Sequence, residues 1–105
     1  MQRMTVILGI DPGSRKTGFG VIEVSTKKPQ YVTSGIIRLP TKDPLSSRLR
    51  VLYESLSEVI TTYHPSEAAI ESVFVAKSPD SALKLGHARG AAMVAAASAD
   101  LSIYE

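Results

Sequence analysis

The spacing of apolar positions changes along this chain, and each change marks a different element. Residues 4 to 10, 17 to 25 and 30 to 39 are rich in Val, Ile, Thr, Tyr and Phe and predict three strands, separated by DPGSRK and TKKPQ, both dense in turn formers. Three successive strands joined by tight turns make an antiparallel meander. The period then lengthens. Asp43-Pro44 reads as N-cap and first helical residue, and Leu45, Leu49, Leu52, Leu56, Val59, Ile60 and Tyr63 recur at helical spacing until His64-Pro65 ends the run. AAIESVF is too short for a helix and predicts a fourth strand. Ser78-Pro79-Asp80 starts a second helix over about 79 to 98, built mainly of small residues, with Gly86, Gly90 and seven alanines between 82 and 97. Such a helix is suited to close approach by a neighbour. LSIYE, residues 101 to 105, predicts the last strand.

The expected order is strand, strand, strand, helix, strand, helix, strand. A meander followed by a helical crossover returns the fourth strand parallel to one already laid down. If that neighbour is the first strand, Asp11 and Glu71, each following an apolar run, stand on strands ~4.8 Å apart. Asp11 has two readings. Asp-Pro-Gly is ordinary turn chemistry, with Asp first, Pro supplying a preset φ and Gly tolerating a positive one. Alternatively, an acid ending a buried strand persists because it is paired, hydrogen-bonded or holding a cation. Two neighbouring carboxylates repel unless a cation lies between them. Magnesium suits this arrangement, because it takes oxygen ligands and is held by one or two carboxylates together with waters and phosphate oxygens. A pair of such ions ~4 Å apart activates water on one side of a phosphodiester and stabilises the departing oxygen on the other.

Composition narrows the classes. A chain of 105 residues, 44% apolar, supports one small domain. Its 12 basic and 10 acidic residues give +2, too weak a balance to announce a nucleic-acid partner. The absence of cysteine excludes disulfides, thiolate metal sites and a cysteine nucleophile. The apolar stretch near the amino terminus is too short for a signal peptide, and the longest apolar run, Ala91 to Ala97, is far below the ~20 residues that span a bilayer. A cytoplasmic chain with no membrane partner is expected. A P-loop counted from Gly9 is excluded by spacing, because its second glycine would fall on Ser14.

GIDPGSRKTGFGVI at 9 to 22, AIESVFVAK at 69 to 77 and SALKLGHARG at 81 to 90 resemble the RuvC-type Holliday junction resolvases, a branch of the ribonuclease H-like superfamily. The resemblance runs collinearly through nearly the whole chain. It implies an α/β fold in which a three-stranded antiparallel meander continues into parallel strands, with helices packed on the sheet. It also implies a crossover junction endodeoxyribonuclease that makes paired symmetric nicks in four-way junction DNA, with Asp11 and Glu71 as catalytic carboxylates binding Mg²⁺ or Mn²⁺. The family is homodimeric through the small-residue helix and works with a branch-migration motor complex.

Phe74 falls where the family stacks an aromatic ring on a base, and the following AKSPD offers a ring few apolar partners. Lys77 nearby, and Arg15 and Lys16 in the turn beside Asp11, suit contact with DNA phosphates. His64 and His87 read as capping or surface residues. The family continues past this point into another strand and a helix that carry further acids. Downstream of Glu71 this sequence offers only Asp80, read as a helix-terminus residue, and Asp100 and Glu105, read as solvated. Residues 1 to 105 are therefore expected to form a nuclease domain without its C-terminal strand and helix, inactive by itself. Two rivals stand beside this reading: a catalytically incomplete junction-binding or dimerisation module, and a nucleotide-binding domain of the actin and sugar-kinase kind.

Overall fold

A computed structural model describes residues 4–26, 28–72 and 78–105. The elements follow the expected order: β1 (Thr5–Asp11), β2 (Lys16–Val24), β3 (Pro29–Arg38), α1 (Leu45–Tyr63), β4 (Glu67–Ile70), α2 (Pro79–Ser98) and β5 (Ser102–Tyr104). They build a five-stranded mixed sheet in the order β3-β2-β1-β4-β5. β1 to β3 form the antiparallel meander, β4 returns parallel to β1 with Ile10 beside Ile70, and β5 runs parallel to β4.

Alternation along the strands decides which face is covered. Leu8 and Ile10 of β1, Val21 of β2 and Ala68 and Ile70 of β4 are buried together with Leu52, Leu56 and Ile60 of α1 and Ala88, Ala92, Ala95 and Ala96 of α2. Both helices thus pack on one face of the sheet. The opposite face carries Asp11, Ser34, Ile36, Ala69 and Tyr104, all exposed.

The helix ends differ from expectation in detail. α1 begins at Leu45, one residue later than predicted. Pro44 is extended, and its carbonyl, not an Asp43 side chain, closes the first turn by accepting from Ser47 and Arg48 at 3.0 and 3.1 Å. His64 ends the helix in a left-handed conformation, φ 53°, its N–H donating to Ile60 at 2.9 Å. At α2, Ser78 accepts from the Ser81 N–H at 3.2 Å, Pro79 opens the first turn, and Asp80 in that turn pairs with Lys84 at 3.0 Å.

Gly86 and Gly90 lie on the exposed side of α2, where a Cβ added to either would meet nothing within 4 Å, so alanines, not glycines, seat this helix on the sheet. His87 is exposed, as expected of a surface residue.

Leu8 is fully buried at the centre of this core, flanked in register by Val21 and Ala68. Leu8→Ala is expected to cost about 2–5 kcal/mol, read as a lower urea midpoint with little change in slope.

Candidate functional site

The site is organised by the end of β1. Asp11 is the last residue of that strand and lies opposite Gly18 of β2. The turn between them is held by Thr17, whose fully buried hydroxyl accepts from the Gly13 N–H and donates to the Gly13 carbonyl, both at 3.2 Å. Leu39 N–H donates to the Arg15 carbonyl at 2.9 Å and ties the same turn to the end of β3. The glycine is needed for space and not for conformation. No described glycine has positive φ, whereas a Cβ on Gly13 would collide with the Lys16 carbonyl oxygen.

Glu71 comes from the other half of the chain. Its N–H donates to the Ile10 carbonyl at 3.0 Å, carrying the β1–β4 ladder one residue past Ile70. Ile10 and Ile70 face the helices, so their successors, Asp11 and Glu71, face the open side. Both line one cleft of about 660 Å³. Gly9, Gly18, Gly20 and Ala69 keep its floor low, and Tyr104 and Glu105 form the rim beyond β4. On the other side of Asp11 a smaller recess of about 160 Å³ is lined by Pro12, Lys16, Gly18 and Ile36. Lys16 is therefore brought to the aspartate, while Arg15, exposed in the same turn, lines neither hollow. Phe74 and Lys77 lie outside the described residues.

Among the described residues neither Asp11 nor Glu71 enters an ion pair. Two oxygen donors on one face, over a floor that leaves room for water and phosphate, fit a hard divalent cation of the magnesium kind. Among the described residues no group of three or more His, Cys, Asp or Glu is placed to hold a metal. The two carboxylates alone would supply only part of a coordination shell.

Glu105 is exposed, as expected of a solvated acid, and it is also ion-paired with Arg89 of α2. No local pattern could have revealed that pair, because its members lie on different elements. Also among the described residues, no helix is long and apolar enough to cross a membrane.

A family profile described as crossover junction endodeoxyribonuclease RuvC matches residues 7–105. The crossover junction endodeoxyribonuclease RuvC of Idiomarina loihiensis is 57% identical over 97% of this chain and 60% of its own length. That of Teredinibacter turnerae is 54% identical over the same shares. The chain therefore spans about three-fifths of the length of these curated relatives. The structure of Thermus thermophilus RuvC in complex with Holliday junction substrate superposes with a TM-score of 0.84 at 28% identity, covering 95% of this chain and 62% of that one. The fold is ribonuclease H-like, as the sequence resemblance implies.

Adding Mg²⁺ or Mn²⁺ is expected to raise the melting temperature of this chain, with a stabilisation of about 2.7 kcal/mol at a hundredfold excess over Kd. Asp11→Asn and Glu71→Gln are each expected to remove the rise. Calorimetry with and without the ion checks this, and an undiminished rise in both variants would place the cation elsewhere.

Proposed function

The chain belongs to the RuvC family of crossover junction endodeoxyribonucleases, and from that membership we propose that it carries the cation-binding half of a nuclease that hydrolyses four-way junction DNA. The observation that carries the reading is the placement of Asp11 and Glu71 side by side on the open sheet face, lining one cleft. Identity of 54–57% to the RuvC relatives favours it over a nucleotide-binding domain.

Asp11 and Glu71 hold Mg²⁺, or Mn²⁺ in its place. When bound, the ion supplies Lewis-acid activation of water and neutralises charge on the phosphodiester. The protein's own contribution is positional. The Gly13 turn and the β1–β4 ladder hold the two carboxylates in fixed relation, so little reorganisation is required when charge develops. The floor of Gly9, Gly18 and Gly20 lets a sugar-phosphate strand approach the backbone closely. Lys16, at the recess beside Asp11, is suited to an adjoining phosphate, and Arg15 in the same turn to a more distant one. Phe74 as a base-stacking ring and Lys77 as a phosphate contact complete the proposed interface. Direct hydrolysis by water is proposed, without a covalent enzyme intermediate.

A nearly two-fold-symmetric junction calls for two sites related by a two-fold axis, and we propose that α2 provides the contact between two copies. Its outer face presents Leu83 and Val94, 65% and 55% exposed, around Gly86 and Gly90. Apolar side chains beside glycines at this spacing allow two helices to meet at short range.

In a version of the chain extended to the length of its RuvC relatives, Asp11→Asn is expected to slow Mg²⁺-dependent nicking of a four-way junction by ~10³-fold or more, while junction affinity in a gel-shift assay stays within about threefold. Loss of binding as well would make Asp11 a structural residue. Val94→Arg is expected to shift the protein from dimer to monomer in light scattering, with its helix content unchanged by circular dichroism.

A further inference from the structure

Lys16 and Arg38 stand directly opposite each other on β2 and β3. Their neighbours Thr17 and Ile37 are buried, so alternation turns both cations to the open face, where each is exposed. One step further along the same register the Leu39 N–H donates to the Arg15 carbonyl. That makes Arg15 and Leu39 a hydrogen-bonded pair, and Lys16 and Arg38 the adjoining non-hydrogen-bonded one. Pairs of this kind bring their Cα atoms to about 4.5 Å, the closer of the two spacings in an antiparallel ladder.

Like charges in that position destabilise a sheet. On the helices, exposed cations are matched with acids one turn away, Arg50 with Glu54 and Lys84 with Asp80. Among the described residues neither Lys16 nor Arg38 enters an ion pair, although Lys16 shares a recess with Asp11. An anion seated between the two cations would remove the repulsion.

The register says which anion is near. Asp11 lies opposite Gly18, and Gly18 opposite Ile36, so the row holding Asp11 is two residues, ~7 Å, from the row holding the basic pair. Gly18 raises no side chain on β2 between them. The other rim of the cleft, beyond β4, carries Tyr104 and the acid Glu105.

We propose that Lys16 and Arg38 together bind one backbone phosphate of the DNA strand held at Asp11 and Glu71, and so lead that strand across β2 and β3. The guanidinium offers parallel donors to phosphate oxygens, and the ammonium adds a point charge beside it. This inference rests on the nuclease reading of Asp11 and Glu71; it adds Arg38 to the interface and a direction to the bound strand.

The test takes the chain extended to the length of its RuvC relatives and four-way junctions in which phosphates flanking the nick are replaced, one at a time, by uncharged methylphosphonates. With the unmodified junction, Arg38→Gln is expected to weaken binding about three- to tenfold. The slope of log affinity against log salt is expected to flatten by about 0.9. At one methylphosphonate position the variant and the wild type are expected to bind equally, and Lys16→Gln is expected to lose its effect at that same position. No penalty for Arg38→Gln, a penalty that persists at every position, or different positions for the two residues overturns the proposal.

Urea unfolding of the 105-residue chain checks the repulsion separately. Arg38→Gln is expected to raise the midpoint at low salt, the gain fading as salt is added. A lower midpoint would reveal a stabilising partner for Arg38 within the fold and likewise overturn the proposal. A wild-type protein that binds no junction overturns the nuclease reading itself, a result distinct from any of these.

Discussion

The pairing of β1 with β4 is the constraint on which the site depends. Ile10 and Ile70 sit beside each other, buried against the helices, and the Glu71 N–H closes on the Ile10 carbonyl. Because side chains alternate, burying those two isoleucines obliges the next residue on each strand to face the open side. Slipping the register by one residue would put an acid into the helix interface and an isoleucine into water. The hydrophobic effect therefore aligns the carboxylates indirectly, by fixing what precedes them, and no attraction between the acids is needed.

The helices show the same separation of tasks. α1 buries Leu52, Leu56 and Ile60 and supplies bulk to the core. α2 buries only alanines, which lets it lie close to the sheet and leaves its outer side to Gly86, Gly90, Leu83 and Val94. Beside the partly buried Met93, Arg89 reaches from the helix layer to Glu105 just past β5. α2 thus faces the core, the outside and the end of β5 with different residue types.

Much of this is legible in the sequence because it follows from short-range pattern. The meander reads from β-rich runs broken by DPGSRK and TKKPQ, α1 from helical spacing, and the parallel return of β4 from the need for a crossover. Asp11 and Glu71 stand out because each ends an apolar run. What is not legible depends on three-dimensional contact. Gly13 suggests a positive φ from turn statistics, yet the actual demand is for room beside the Lys16 carbonyl. The start of α1 is set by the Pro44 carbonyl, where residue type favours Asp43 as a cap. Arg48 is buried on α1 although spacing marks only apolar residues there. The Arg89–Glu105 pair joins α2 to the end of β5, and neither residue alone signals it.

Where the cleft lies also has a topological reason. β1, β4 and β5 run parallel, so their carboxyl ends reach the same edge of the sheet, whereas β2 leaves that edge in the opposite sense. β1 is the strand with an antiparallel neighbour on one side and a parallel one on the other. In open α/β sheets ligands collect outside the carboxyl ends of strands, at the point where the connectivity changes. Here the turn to β2 follows Asp11, and among the described residues Asp11 and Glu71 are both exposed at the ends of β1 and β4. A glutamine or a serine at either position could occupy the same space, but only the two carboxylates bring the negative charge that a hard cation requires. The topology provides the opening, and those two side chains determine what kind of ligand it suits.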